Sequence, residues 1–212
     1  MRQPTAPASD LHLIGYHYSV YTWAVRMGIA EAGLTATYQE ADPFEAPEAL
    51  RGQHPFGRVP VLWDGDFRLY ETAAILGYLL PASSDRREAA RARQVAGIID
   101  SYAYRPLVRQ VFSHGFFRPA CGETADAAVM ADGLATAPRV LAALEEIMAE
   151  RRKLDAGCAC HLAPMLGYFA EVPAGRQMLA EYPALEAWFA DVQTRESYRA
   201  TRPDLMQLGE VT

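Results

Sequence analysis

The chain has 212 residues, is 50% hydrophobic, 22% charged and 10% aromatic, and carries a formal net charge of -6. A chain of that size can bury roughly 70% of the surface it exposes when unfolded, so it needs neither a disulfide framework nor a structural metal to build a core. Its composition is far from the disordered regime, and 20 basic against 26 acidic residues with no basic stripe argue against a nucleic-acid surface.

Residues 1–10 hold Pro4 and Pro7 but no apolar run, and are expected to be a frayed leader, not a signal peptide. Leu11–Ile14 alternates into Gly15 and predicts a short strand. Tyr21–Ala32 predicts a helix, with Val25 and Ile29 four apart and Gly33 placed as a C-cap. Thr35–Glu40 is strand-like, and a loop with Pro43 and Pro47 follows. Val59–Trp63, the turn Asp64-Gly65-Asp66 and Phe67–Tyr70 predict a hairpin, and Glu71–Leu80 a helix closed by Pro81. The order is read as β-α-β-α-β-β-α, a mixed sheet with helices packed on it.

Beyond Pro81 the patterning is almost wholly helical. Glu88–Leu107 places Val95, Ile98, Ile99 and Tyr102 on one face, and Pro106 is expected to kink or break it. Ala125–Glu150 repeats apolar residues at Leu134, Ala137, Leu141, Leu144 and Met148, with Pro138 as an interruption. Cys158–Phe169 and Pro183–Thr194 supply two more helices, the second with Pro183 near its first position. The division predicted is a mixed-sheet domain over 10–81 and an all-helical domain over 87–203.

Three cysteines, Cys121, Cys158 and Cys160, are an odd number confined to the helical part. They predict a reducing, cytoplasmic setting rather than a secreted framework. Cys158, Cys160 and His161 invite a metal reading, but helix residues two apart point about 200° from each other, so no metal is expected. No stretch approaches the roughly 18 apolar residues of a membrane span. The runs Arg151-Arg152-Lys153 and Arg86, Arg87, Arg91, Arg93 read as solvated helix faces.

Four features then stand in order: Ser19 after the first strand, Arg58-Val59-Pro60 opening the hairpin, Tyr70-Glu71-Thr72-Ala73-Ala74-Ile75 closing it, and a helical second half. In this the chain resembles a cytosolic glutathione S-transferase of the bacterial, serine type. The resemblance runs from Leu11 to Pro203 and is strongest in His54–Leu62 and Leu162–Phe169. It implies an α/β plus all-α fold, with an N-terminal thioredoxin-like domain holding a mixed four-stranded sheet, followed by a helical domain. It also implies a homodimer, and glutathione as co-substrate beside a small electrophile.

Residue by residue, the resemblance implies a cis Val59-Pro60 bond whose backbone pairs with the cysteinyl part of glutathione. Thr72, at a helix N-terminus, would hold the γ-glutamyl carboxylate, and Glu71 would face the γ-glutamyl amine. Arg58, Gln53 and His54 are candidates for the glycyl carboxylate or nearby backbone. Ser19 would stabilise the thiolate, with Tyr16 and Tyr18 as rivals. Tyr18, Tyr104, Phe112, Phe116 and Phe117 are candidates for an apolar cleft taking the electrophile. Each feature also has a structural reading: Pro60 as an edge-strand proline, Glu71 and Thr72 as first-turn caps, and Ser19 as a helix cap.

A thioredoxin-like fold performing disulfide exchange needs a thiol near its first helix, and no cysteine precedes Cys121. Three residues depart from the family pattern. Val20 stands where many relatives have proline, and Ala156 and Ala159 replace a capping box, so Asp155 is expected to cap instead. The expected activity is transfer of the glutathione thiolate to an apolar electrophile. The alternatives are a non-enzymatic ligand-binding or interaction scaffold, or a glutathione-dependent isomerase or dehalogenase.

Overall fold

The structure, a computed structural model, describes residues 10–45, 47–151 and 154–208. The leader over residues 1–9 and the face carrying Arg152 and Lys153 lie outside the described residues. Strand β1 (Leu11–Gly15) points Leu11 and Leu13 into the core, as its alternation requires. It pairs parallel with β2 (Ala36–Glu40) and antiparallel with β3 (Val61–Asp64), which pairs antiparallel with β4 (Phe67–Tyr70). The sheet order is β2-β1-β3-β4, the mixed four-stranded sheet of a thioredoxin-like domain.

Helix α1 (Val20–Glu31) makes the crossover that a parallel β1–β2 pair demands. Gly33, at φ +67°, ends it in the left-handed conformation anticipated from the sequence. A short helix α2 (Pro47–Arg51) occupies part of the predicted proline loop. The hairpin turn is one residue tighter than expected, because Asp64 stays in β3 and Gly65 supplies the positive φ of +58°. Helix α3 (Thr72–Leu79) follows β4 directly.

In the helical part, Asp85 caps α4 (Arg86–Ile98) by accepting from the Arg87 and Glu88 N–H groups. The chain then runs on without a break into a helix of wider, i→i+5 turn over Ile99–Phe117, at whose end the Arg118 N–H reaches Ser113 O. Pro106 therefore neither breaks nor ends the helix. A wider turn moves the ring off the carbonyl four residues back, the contact that disrupts an ordinary helix. A single turn α5 (Arg118–Ala120) leads to α6 (Ala127–Arg151), α7 (Ala156–Glu171), α8 (Pro173–Leu179), α9 (Pro183–Gln193) and α10 (Glu196–Thr201). Pro138 also lies inside α6 without interrupting it. Burial of Ala137, Leu141, Leu144 and Met148, at ~1.5–3 kcal/mol for each large side chain, outweighs the ~3 kcal/mol cost of one proline.

Asp155 caps α7, its carboxylate accepting from the Cys158 N–H at 2.7 Å. Cys158 and His161 turn to different partners, the thiol to Ala92 O at 3.4 Å and the imidazole to Asp100 at 3.1 Å. Burial pushes the Cys160 thiol up to about 12. Among the described residues no group of three or more His, Cys, Asp or Glu side chains could hold a metal ion. The expectation about membrane spans needs correcting at one place. Residues 127–150 of alanine-rich α6 are, by length and composition, long and apolar enough to cross a membrane. In the fold that helix packs on the wide helix and on α9.

Helix α1 joins the two parts, packing on α3 on one side and α7 on the other. Trp23 and Met27 of α1 are buried, and Trp23 lies on the Tyr168 ring of α7 at 5.3 Å. The loop before α1 is thereby fixed against the helical part.

Candidate active site

That loop, Tyr16 to Ser19, is closed by the Ser19 N–H donating to Tyr16 O at 2.9 Å. Ser19 is the N-cap of α1, and its Oγ accepts from the Thr22 N–H at 3.2 Å. Thr22 returns the contact to the loop, its Oγ1 accepting from the Tyr16 N–H at 3.3 Å. Gly15 permits this approach, since a Cβ there would lie 2.3 Å from Thr22 Cγ2. From the helical part, the Tyr168 hydroxyl donates to Tyr18 O at 3.0 Å.

The capping role of Ser19 is thus real, and it is compatible with a chemical one. A hydroxyl has one donor and two acceptor positions. Capping uses one acceptor and leaves the O–H free to donate. Val20 opens the helix as a buried first-turn residue, so the missing proline does not disturb the loop. Tyr16, Tyr18 and Ser19 all line one cleft. Burial pushes the Tyr16 phenol up, with Asp42 adding to it, and burial also raises Tyr18. Both phenols stay protonated near neutral pH. Cys121, close enough to raise both phenols further, is itself pushed up by burial and stays a thiol.

The opposite side of this end comes from the hairpin. The Val59-Pro60 bond is cis, and Val59 lines the cleft. Pro60 precedes β3, a strand with neighbours on both sides, so it is not an edge-strand proline. Because Val61 pairs with Tyr70, the register sets Pro60 beside Glu71. Glu71 has φ +71°, unique among the described non-glycine residues, and its side chain makes no capping bond. Such a conformation costs about 1–3 kcal/mol and persists only where the surroundings enforce it. Thr72, buried, is the first residue of α3.

Two glycyl-carboxylate candidates are occupied inward. His54 is buried, and its Nδ1 accepts from the Phe56 N–H at 3.1 Å. Its Nε2 lies 3.9 Å from Glu71 Oε1, beyond a hydrogen bond, and burial lowers its pKa. Gln53 accepts from Trp63 Nε1–H at 3.1 Å. His54 thereby shapes the turn before Val59 instead of offering a cation, whereas the bond to Trp63 uses only the Gln53 oxygen and not its amide N–H groups. Arg58 does line the cleft.

The helical wall comes from the wide helix. The cleft encloses about 380 Å³, and the residues of this helix that line it are Tyr104, Val108, Arg109, Phe112, Ser113 and Phe117. They fall into pairs five apart: Tyr104 with Arg109, Val108 with Ser113, Phe112 with Phe117. Phe116, four after Phe112, is not a lining residue; it stacks behind the wall on Phe112 at 5.7 Å. Of the two candidates Phe116 and Phe117, the i→i+5 turn brings Phe117 into the cleft and leaves Phe116 outside its lining. Phe112 stacks on Tyr168 at 4.1 Å, which carries the hydroxyl bonded to Tyr18 O.

Several lining residues escaped the sequence reading. Phe44 and Phe56, 68% and 70% exposed, stand among them as large apolar surfaces open to solvent. Arg109, Ser113, Tyr21 and Tyr168 also line the cleft. Arg109 and Ser113 enter through the wide turn of the helix, for which the sequence carries no local signal.

The family model for the glutathione S-transferase N-terminal domain matches residues 13–107. Glutathione S-transferase F7 of Arabidopsis thaliana is 29% identical over 204 residues, covering 89% of this chain and 97% of its own. Over residues 13–107 the chain matches the glutathione S-transferase family. A probable glutathione S-transferase of rice, GSTF2, is 29% identical over 165 residues, 72% of this chain and 75% of the relative. In fold, the family member glutathione S-transferase I from maize, solved with an atrazine glutathione conjugate, superposes with a TM-score of 0.79 at 24% identity. That likeness spans 94% of this chain and 99% of the maize chain. The sheet followed by a helical part is therefore the fold that this chain shares with that structure.

Proposed function

We propose that this chain is a serine-type glutathione transferase in which the Ser19 O–H donates to the thiolate sulfur of glutathione. The observation carrying the proposal is a Ser19 hydroxyl held in the cleft with its donor position uncommitted, at the N-terminus of α1. The Val59 backbone pairs with the cysteinyl unit, Thr72 and the start of α3 take the γ-glutamyl carboxylate, Glu71 the amine, and Arg58 the glycyl carboxylate. The curated relatives named above are plant proteins, and they lend nothing to the bacterial half of the resemblance.

The chemistry is proton removal from sulfur. A thiol with a pKa near ~8.5 is only about 3% thiolate at pH 7, and a value near ~6.5 makes it roughly three quarters thiolate. That difference is about 2.7 kcal/mol. One hydroxyl bond to an anion, with the positive end of α1 behind it, is of that size. The electrophile occupies the aromatic end of the cleft, against Tyr18, Tyr104, Phe112 and Phe117. Val20 and the Ala156 to Ala159 stretch, which depart from the family pattern, leave loop and cap intact.

The test is glutathione-dependent conjugation of 1-chloro-2,4-dinitrobenzene by three variants. Ser19→Ala loses about a hundredfold in kcat/KM, while Tyr16→Phe and Tyr18→Phe keep most of it. The reverse pattern would assign the role to a tyrosine. A homodimer, residence in the reducing cytoplasm and a division into units over 10–81 and 87–203 complete the proposal. Exposed Phe67, Tyr78 and Tyr102 support the first, three unpaired cysteines the second, and the change to helices alone after β4 the third.

A further inference from the structure

We infer that Arg109 makes the helical side of the cleft a site for an aromatic electrophile that carries a carboxylate. The cleft is lined by two guanidinium groups, Arg58 and Arg109, and by no carboxylate. In a chain with a net charge of -6 that excess is local and opposite to the average. Among the described residues Arg109 makes no ion pair; its guanidinium carbon stands over the ring of Phe44 at 5.7 Å. Asp132, which borders the neighbouring cavity together with Arg109, is taken by Gln110 at 2.6 Å.

Glutathione does not need this arginine. Its two carboxylates are met by Thr72 at the start of α3 and by Arg58, and its amine by Glu71, all from the sheet side. Arg109 belongs to the other wall, five residues after Tyr104 and between Val108 and Phe112. A guanidinium presents a planar fork of donors and stays charged at any ordinary pH, so its natural complement is a carboxylate. The aromatic rings around it offer none. The anion must therefore arrive with the second substrate, whose ring lies among Phe112, Phe117 and Phe44. This inference rests on the transferase reading, which defines what the second occupant of the cleft is.

A matched pair tests it: 4-chloro-3-nitrobenzoate and its methyl ester. In both, the thiolate sulfur attacks the ring carbon bearing chlorine, the nitro-substituted ring holds the electron pair, and the C–Cl bond breaks as chloride leaves. The two differ in charge and in intrinsic reactivity, so each kcat/KM is divided by the uncatalysed rate with glutathione. The acid is expected to be preferred by the wild type. Arg109→Gln lowers the acid-to-ester ratio about tenfold, the scale of one hydrogen bond to a charged group. Arg109→Lys restores part of it, and the KM for glutathione does not move.

A ratio indifferent to Arg109 overturns the inference, as does a rise in glutathione KM with both electrophiles, which would give Arg109 to the tripeptide. Calorimetric binding of unreactive 3-nitrobenzoate and nitrobenzene separates the two readings. Carboxylate-selective binding lost in Arg109→Gln, without turnover of any electrophile, removes the transferase reading and leaves this one standing. Turnover with no selectivity does the opposite.

Discussion

The two walls of the cleft are built by different means. On the sheet side, Ser19 and Val59 are placed by main-chain geometry, a closed loop and the approach to a hairpin, and Glu71, outside the lining but beside Pro60, by a backbone conformation that few residues adopt. On the helical side, Tyr104, Arg109, Phe112 and Phe117 are placed by the turn of one helix, and what they present is decided by their side chains. A wall made of backbone tolerates substitution of neighbouring side chains while holding one ligand. A wall made of side chains changes its ligand with each substitution. The thiol donor is accordingly the fixed reactant and the electrophile the variable one.

The comparison can be broken most severely at Phe112, where the helical wall also supports the other one. Phe112→Ala removes a buried ring stacked on Tyr168 and is expected to cost about 3–5 kcal/mol in denaturant unfolding. A loss under ~1 kcal/mol would mean that the walls are not coupled through Tyr168. Next in size is Thr22→Val, which keeps the volume and the N–H bonded to Ser19 but leaves the Tyr16 N–H without its acceptor. It should cost about 1–3 kcal/mol. It should also raise the pKa of bound glutathione, a readout that a purely structural role would not move.

The wide turn is sharpened by a pair. Phe117→Ala is expected to raise the electrophile KM about tenfold, in line with ~1–1.5 kcal/mol for an aromatic contact, whereas Phe116→Ala stays within about twofold. Equal effects would contradict the spacing of five. The smallest effect is on pH. His54, neutral and accepting from Phe56, has its pKa lowered by burial, so the unfolded chain binds its proton more readily. Stability from this residue is complete above the unfolded value of ~6.5 and falls as pH drops below it. His17, also lowered by burial, acts in the same direction. Urea titrations at a series of pH values should show His54→Asn losing its share of that slope; an unchanged slope would mean that the ring already carries its proton.

Much of the sheet side was legible in the sequence. Alternation in Leu11–Gly15, the glycine after α1 and the Asp-Gly turn are local signals, and Ser19, Val59-Pro60 and Glu71-Thr72 sit at the joints those signals mark. The helical wall was read less well, for a physical reason. The cleft candidates there, Tyr104, Phe112, Phe116 and Phe117, were chosen by aromatic type alone, which takes in Phe116 and passes over Arg109 and Ser113. The prolines misled in the same way: Pro106 and Pro138 lie inside helices because turn width and packing outweigh a propensity that local sequence alone expresses. His54 was a candidate for the glycyl carboxylate or nearby backbone, and only the folded turn shows its Nδ1 accepting from the Phe56 N–H.

The central claim is that Ser19 holds the glutathione sulfur as a thiolate. Ultraviolet absorbance of the thiolate, followed on pH titration of glutathione bound to the wild type and to Ser19→Ala, measures it directly. The account predicts a thiol pKa near ~6.5 on the wild type and a return toward ~8.5 on the variant. A bound thiol near ~8.5 on the wild type, or one that remains lowered without the Ser19 hydroxyl, would contradict it.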